Sequence, residues 1–322
     1  MTAERTVRVG VIGRGFGARV VAPVFQETDG CEVVDVVTPR DDAAVTALCA
    51  RRDVDLISVH SPPFLHHDHV RRAIETGHAV LCDKPFGRNA VEASEMCDLA
   101  REAGVLGLLN FENRYDAART RVRALIEEGA VGTPEHVQFS MLLSITRVPL
   151  RRYGWLFDDE LGGGWLRALG SHLIDFSRWT FGEIVDASGQ LRTAVTERPD
   201  TDGKLHRCTA DDGFVATLRS ERGVTTVIDS SSAAPVNVTP TLIVVGSKGA
   251  LESVADSRIV LHTGTGSEEL FAAEPGGNAL FQAQREWAGV VRDAVRDGAA
   301  PAGAPTFADG LAWNEVMDRL RA

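Results

Sequence analysis

Short apolar runs alternate with helix-like segments through the first third of the chain. The runs predict strands at 7–12, 33–37, 56–60, 79–82 and 105–110. The segments between them predict helices at 17–27, 41–51, 67–76 and 89–103. Strands that alternate with helices form a parallel sheet with helices packed on it. The pattern therefore predicts an α/β Rossmann-type domain over residues 1–115.

The pattern changes after Pro134, where β-rich runs dominate. They predict strands at 135–147, 184–196, 212–219, 224–231, 240–246, 249–253 and 257–262. Hairpin-like turns join several of these runs, which favours a large, mainly antiparallel open sheet. Helices are predicted at 114–128, 165–181, 278–297 and 306–321. We expect a second, α+β domain over residues 116–322, whose last helix could pack back on the first domain.

Composition excludes several classes of function. The length of 322 residues favours two domains, and a formal net charge of -11 argues against nonspecific nucleic-acid binding. We find neither an apolar run of about 18 residues nor a signal peptide, so we expect a cytoplasmic protein without a membrane span. The five cysteines are scattered without a CxxC pair, which favours reduced thiols and no metal site.

The first predicted strand ends in a glycine-rich turn. Its residues are Gly13, Arg14, Gly15, Phe16 and Gly17. Gly13 can make the tight turn, and Gly15 lets the backbone approach a pyrophosphate. Amides at the start of the following helix favour an anion there, and Arg14 could add a cation. Glycines also occur in ordinary βα turns, but this position favours a dinucleotide site.

The end of the second strand bears on the choice of cofactor. NAD sites place an acid there for the ribose hydroxyl, whereas NADP sites use small polar and basic groups. Thr38 and Arg40 follow the predicted strand and suit a 2′-phosphate. Asp35 has the right distance from the glycines for NAD but lies within the strand, and Asp41 and Asp42 leave the choice open. We expect NADP or NAD, with NADP preferred.

Asp83, Lys84 and Pro85 follow the fourth predicted strand. Ligands bind at the carboxyl edge of such a sheet, and proline restricts the preceding lysine to extended backbone. Lys84 could therefore hydrogen-bond a substrate hydroxyl beside a nicotinamide. A surface lysine at a strand end explains the pattern equally well.

The third predicted strand leads into Ser61 and Pro62, with His66 soon after. A proline bend there could form a wall beside the cofactor, and His66 could start the next helix. The alternative is a stiff loop with incidental histidines. We expect His67 and His69 to be solvated.

A triple glycine, 162–164, precedes a predicted helix that carries His172 and Asp175. Glycines let this backbone lie close to a ligand. His172 and Asp175 share one helix face with Ala168, so Asp175 could orient the histidine for general acid–base work. By spacing alone, a structural hydrogen bond between the two is the more common outcome.

Together, the glycine turn, the Lys-Pro pair and the GGG…GxHxxD segment resemble the glucose–fructose oxidoreductase / inositol dehydrogenase (Gfo/Idh/MocA) family, nearly end to end. The resemblance implies a dinucleotide-binding domain, hydride transfer to or from a secondary hydroxyl of a sugar-like polyol, and proton transfer and substrate orientation by His172 and Lys84. It also implies a bond before Pro85 that is often cis, and a homodimer or homotetramer through the second-domain sheet.

Two departures from the family pattern bear on function. Ala168 stands where many relatives have an aspartate of the proton relay, and Asp83 stands where glutamate is usual. The first leaves open a regulator or sensor that binds NAD(P) without turnover. Further candidates for substrate contact are Asn113, Trp155 and Arg167, although a solvated arginine and a packed tryptophan are the ordinary alternatives.

Overall fold

The computed structural model describes residues 5–274, 276 and 278–322 and divides into two compact units. Unit 1 holds the chain up to Tyr115 together with Ala279–Glu315, and unit 2 holds Asp116–Asn278 and Val316–Ala322. The division after Tyr115 lies where the sequence predicts it. However, the predicted second domain, 116–322, includes a segment, 279–315, that belongs to unit 1.

A five-stranded parallel sheet forms the centre of unit 1, in the order β2-β1-β3-β4-β5. The strands are β1 Val7–Ile12, β2 Cys31–Val37, β3 Leu56–Val59, β4 Ala79–Cys82 and β5 Gly107–Leu109. All carboxyl ends therefore lie at one edge of the sheet, and the sequence-based expectation of a Rossmann-type sheet is confirmed.

The helices lie close to their predicted positions. They are α1 Ala22–Glu27, α2 Asp42–Cys49, α3 His66–Glu75, α4 Ala90–Ala103, α5 Ala117–Glu127, α6 Ser171–Phe181, α7 Ala279–Asp297 and α8 Phe307–Arg321. Wider helical turns, Gly17–Val21 and Leu166–Gly170, lead into α1 and α6. None of the helices in the described ranges is long and apolar enough to cross a membrane.

Side-chain caps explain where several helices begin. Asp41 accepts from the amide of Ala44 at 3.0 Å at the start of α2. Asn89 does the same for Glu92 at the start of α4, and Asp116 caps α5. Each cap satisfies an amide that lacks a partner within its helix.

Burial explains why 279–315 belongs to unit 1. Trp287 on α7 is fully buried in the same core as Val7, Val9 and Val11 of β1. Its ring stacks on Tyr115, with centroids 5.0 Å apart. The apolar side of α7 therefore completes the core of the first unit, although the helix follows the second along the chain.

An eight-stranded sheet dominates unit 2, in the order β15-β14-β13-β12-β6-β11-β10-β7, with one parallel pair, β6–β11. Its strands are β6 Pro134–Leu142, β7 Ile184–Arg192, β10 Gly213–Ser220, β11 Thr225–Ser231, β12 Thr241–Gly246, β13 Gly249–Val254, β14 Arg258–Thr263 and β15 Gly266–Ala272. A separate hairpin pairs β8 Glu197–Pro199 with β9 Leu205–Arg207. The mainly antiparallel second sheet is thus confirmed, while β8, β9 and β15 were missed.

Alternation along β10 shows that the two faces of this sheet differ. Phe214, Ala216 and Leu218 are buried, whereas Val215 and Thr217 between them are exposed. Helix α6 contacts β10, and α5 contacts β13 and β14. One face of the sheet is therefore covered by helices, and the other is open among the described residues.

Helix α3 departs from expectation at His69, which is buried rather than solvated. Its Nδ1 lies 3.0 Å from the hydroxyl of Ser61, in the loop after β3. Burial, together with the neighbouring His66, lowers the pKa of His69 to about 4. The histidine is therefore a neutral anchor for this loop.

We expect two glycine substitutions in unit 1 to act in opposite directions. A Cβ on Gly107 would lie 2.6 Å from the ring of Phe307, whereas one on Gly289, within α7, would meet nothing within 4 Å. Gly107→Ala should destabilise by about 1–3 kcal/mol through overpacking. Gly289→Ala should stabilise by about 0.5–1 kcal/mol through helix propensity. Urea denaturation measures both, and equal effects would contradict this packing.

Acidification should weaken the fold through His69. Between about pH 6.5 and 4 the unfolded chain binds a proton there that the native chain does not, so stability falls as the pH falls. At pH 5 the loss from this group is about 2 kcal/mol relative to pH 7. We expect His69→Gln to reduce the difference between denaturation midpoints measured at pH 7 and pH 5. An unchanged difference would show that His69 titrates normally.

Candidate functional site

The glycine turn after β1 is built around His60. A Cβ on Gly13, whose φ is +149°, would lie 2.5 Å from the carbonyl oxygen of His60. A Cβ on Gly17 would lie 2.9 Å from the Cβ of His60. These two glycines are therefore required by the close approach of the backbone to the loop after β3.

Gly15 has a different environment from its two neighbours. It is exposed, and nothing lies within 4 Å of where its Cβ would be. Arg14 is also exposed, and Phe16 is half-buried with its ring 6.0 Å from that of His60. Open backbone at the start of a helix suits the phosphates of a dinucleotide, so these residues fit the expected cofactor.

Strand β2 ends at Val37, as predicted, and Thr38 and Arg40 follow directly. Thr38 is half-buried, and the side chain of Arg40 is exposed. A small hydroxyl and an exposed cation therefore stand at the position where this class of fold distinguishes the two nicotinamide cofactors.

The nearby acids all have other partners. Asp35 accepts from the amide of Val36 at 2.8 Å, and Asp41 caps α2. Asp42 pairs with Arg72 at 2.6 Å. None of these contacts places a carboxylate at the end of β2 for a ribose hydroxyl.

Lys84 is half-buried at the carboxyl end of β4, and the peptide bond to Pro85 is cis, as the resemblance implied. The loop is tied to the loop after β3 by His66. Its Nδ1 lies 2.9 Å from the carbonyl oxygen of Pro85, and its Nε2 lies 2.7 Å from that of Ser61. Both ring nitrogens of this buried histidine therefore face main-chain carbonyls. The nearby Pro62 is half-buried.

Asp83 is the most strongly constrained acid near Lys84. Its Oδ1 accepts from the amide of Lys84 at 2.9 Å, and its Oδ2 lies 3.2 Å from Nδ1 of His60. Burial alone would raise the pKa of Asp83, but the hydrogen bond and charge of His60, with nearby Lys84 and His66, lower it to about 2. Asp83 is therefore ionised throughout the ordinary pH range.

The hydroxyl of Ser58 lies 2.7 Å from Nε2 of His60, so Ser58, His60 and Asp83 form a line. This order resembles the triad of a hydrolase. Ser58, however, is fully buried within β3, and no substrate can reach its hydroxyl. The line supports the loop after β4 and is not a nucleophilic site.

Two buried side-chain amides, those of Asn110 and Gln284, support Asp83. Nδ2 of Asn110 donates to Oδ1 of Asp83 at 3.3 Å. The amides of Asn110 and Gln284 bond each other reciprocally, at 3.1 and 3.4 Å. Gln284 was not a candidate from the sequence, although it lies on the buried side of α7 together with Trp287, Ala288 and Val291.

In unit 2, the triple glycine shapes the entry to α6. A Cβ on Gly163 would lie 2.2 Å from the carbonyl oxygen of Trp155, and Gly164 has a φ of +117°. The amide of Leu166 donates to Asp211 at 2.8 Å. Burial raises the pKa of Asp211 to about 6. The glycines are thus required for close packing of this loop within unit 2.

His172 and Asp175 lie on α6, and both are buried. They stand three residues apart on one face of the helix, as the sequence predicts. Asn113 is half-buried in the short turn Glu112–Tyr115 of unit 1, and Trp155 is half-buried before the triple glycine.

Arg167 is neither solvated nor exposed. Its Nη1 donates to Oδ1 of Asp159 at 2.7 Å and to the carbonyl oxygen of Gly163 at 2.8 Å. Asp159 also pairs with Arg321 of α8. Burial lowers the pKa of Arg167. The guanidinium therefore braces the triple-glycine loop.

Comparisons with known proteins agree with this geometry. Residues 7–111 match the oxidoreductase family with an NAD-binding Rossmann fold, and residues 120–252 match the GFO/IDH/MocA C-terminal domain. An uncharacterized oxidoreductase of Synechocystis sp. is 30% identical over 274 residues, which is 80% of this chain and 74% of that protein. D-apiose dehydrogenase of Paraburkholderia graminis is 26% identical over 298 residues, 85% of this chain and 74% of the enzyme.

Among solved structures, levoglucosan dehydrogenase in complex with NADH and levoglucosan superimposes with a TM-score of 0.87. The match covers 98% of this chain and 96% of that one at 19% identity, which shows a shared fold. With both of its domains matched, the chain belongs to the Gfo/Idh/MocA family of NAD-binding oxidoreductases.

Proposed function

We propose that the protein transfers hydride between a nicotinamide and a secondary alcohol or ketone of a sugar, cyclitol or related polyol. The main observation behind the proposal is the position of Lys84. It lies at the carboxyl edge of the sheet that also bears the glycine turn, next to the ionised Asp83. The named relatives support the substrate class, because they include D-apiose dehydrogenase and the D-glucoside 3-dehydrogenase of Escherichia coli.

The turn from Gly13 to Gly17 would hold the pyrophosphate, and Ser61 and Pro62 would border the nicotinamide. When bound, the nicotinamide supplies C4 as the donor or acceptor of hydride. Side chains of this protein would orient the substrate hydroxyl and transfer its proton.

Lys84 would bind the reacting oxygen and stabilise negative charge as it develops there. Its main-chain amide donates to Asp83, so the lysine starts from a defined place at the end of β4. Asp83 itself accepts hydrogen bonds and stays ionised, which makes it the support of the lysine and not a proton donor.

His172 would exchange the proton of the substrate hydroxyl, because imidazole titrates near neutral pH. Ala168 lacks the carboxylate that many relatives have one turn earlier on this helix. Asp175, one turn later, would take over the orientation of His172. Asn113 and Trp155 would contact the polyol. Arg167 would take part in substrate binding through the triple-glycine loop, which its guanidinium braces.

We further propose a preference for NADP. The acids near the end of β2 have other partners, whereas Arg40 is exposed there. An exposed guanidinium suits a 2′-phosphate, which it can bind with two hydrogen bonds.

The open face of the eight-stranded sheet would pair with a second copy of the chain. Val215 on β10 and Val245 on β12 are large apolar side chains exposed there. Closed symmetric pairing would cover them in a homodimer, or in a homotetramer built from two such contacts.

Lys84→Ala should lower kcat by about 10²–10³, the range for a lost donor to a developing oxyanion. His172→Ala should lower kcat by about 10²–10⁴, the range for lost proton transfer. Binding of the dinucleotide, followed by fluorescence titration, should change less than about twofold. Lys248→Ala at an exposed position and His67→Ala, at a half-buried residue that pairs with Glu95, are matched controls and should keep wild-type rates. A sugar and cyclitol screen supplies the substrate, and full activity in both site variants would refute the assigned roles.

Arg40→Ala should weaken NADPH binding by about 10–100-fold, because a charge-assisted hydrogen bond is worth about 1.5–3 kcal/mol. Affinity for NADH should stay within about twofold. Arg52→Ala removes an exposed arginine elsewhere in unit 1 and should change neither affinity. Equal losses for the two cofactors, or none, would assign the preference to other residues.

A further inference from the structure

The geometry points to Asn110 and Gln284 as positioning residues, which hold the Asp83 carboxylate and through it the loop of Lys84. This inference rests on the proposed role of Lys84. Both amides are fully buried, and neither reaches solvent or a ligand directly. They would act on the reaction through Asp83.

The two oxygens of Asp83 face different partners. Oδ1 accepts from the amide of Lys84 at 2.9 Å and from Nδ2 of Asn110 at 3.3 Å, while Oδ2 faces His60 at 3.2 Å. Partners on both oxygens fix the plane of the carboxylate. The Lys84 contact is local to the loop. The carboxylate of Asp83 is therefore held to the neighbouring strands by Asn110 and His60, beside the contacts that His66 and the Asp83 amide make with the loop and strand.

Asn110 needs a second partner to hold this orientation. An amide side chain can rotate about its terminal bond, and a single hydrogen bond would leave its oxygen without a defined place. Gln284 supplies both a donor and an acceptor to it, at 3.1 and 3.4 Å. With the Asp83 carboxylate as a second acceptor for Nδ2, the reciprocal pair is satisfied in one orientation of Asn110, the one that points Nδ2 at Asp83.

Packing alone does not explain Gln284. Its neighbours on the buried stripe of α7, Trp287, Ala288 and Val291, are apolar and fill the core. A buried amide carries a desolvation cost that an aliphatic side chain of similar length would avoid. The position is satisfied because Asn110 stands opposite, so the pair works as a unit.

Gln284→Met tests the inference, because methionine keeps the unbranched length and removes both hydrogen bonds. Val291→Ala is the matched control, since it alters the same buried stripe without touching the amide pair. The full chain contains three lysines, Lys84, Lys204 and Lys248, so ¹³C-lysine NMR gives one signal for the loop and two internal references.

In Gln284→Met we expect the Lys84 signal to move or broaden, with the Lys204 and Lys248 signals unchanged. We also expect kcat to fall about tenfold, or about 1.4 kcal/mol in activation free energy, with dinucleotide affinity within about twofold. In Val291→Ala the Lys84 signal and kcat should stay as in the wild type, although the denaturation midpoint falls.

An unmoved Lys84 signal in Gln284→Met would overturn the inference, as would an equal movement in Val291→Ala. If Gln284→Met does not fold, Asn110→Ala applies the same criteria from the other side of the pair. A signal that moves while Lys84→Ala keeps full activity would support the positioning role and refute the proposed catalytic role of Lys84. The two proposals therefore fail separately.

Discussion

One largely buried charge, the carboxylate of Asp83, determines the arrangement of side chains at the carboxyl edge of the sheet in unit 1. A buried charge is tolerated only with hydrogen-bond donors around it. Here the Lys84 amide after β4 and Asn110 after β5 donate hydrogen bonds, and the ring of His60 after β3 lies 3.2 Å from the carboxylate. Parallel strands bring these ends to one edge, so the fold supplies the donors and the carboxylate joins them.

His60 connects this cluster to the glycine turn. Its carbonyl oxygen leaves no room for a side chain at Gly13 and its Cβ leaves none at Gly17, while its ring faces Asp83. Any residue that displaced His60 would therefore disturb both the turn and the loop of Lys84. The shape of the glycine turn and the position of the Lys84 loop therefore both depend on one packed histidine.

Local patterns predicted most of the fold. β1 and β4 have the predicted bounds because each is an apolar run with a glycine or an Asp-Lys-Pro break after it. β15 was missed because its sequence, Gly-Ser-Glu-Glu-Leu-Phe-Ala, is polar and mostly exposed at a sheet edge. His69 was expected in solvent, and Arg167 was expected to contact substrate or solvent, since no local pattern shows that Ser61 or Asp159 stands opposite.

Residues 279–315 belong to unit 1, and the order of elements along the chain does not predict this. Contiguity along the chain places α7 with the second domain, but Trp287 and Val291 are buried in the core of the first. Gln284 lies on the same buried stripe of α7, 174 residues from Asn110 along the chain. A polar residue on this stripe breaks the amphipathic pattern of the helix, and the pattern alone does not show what it contacts. A lone polar residue within an apolar stripe is thus a sequence signal for a buried partner, but only the fold identifies Asn110 as that partner. The support of Asp83 is completed only when the chain returns to unit 1.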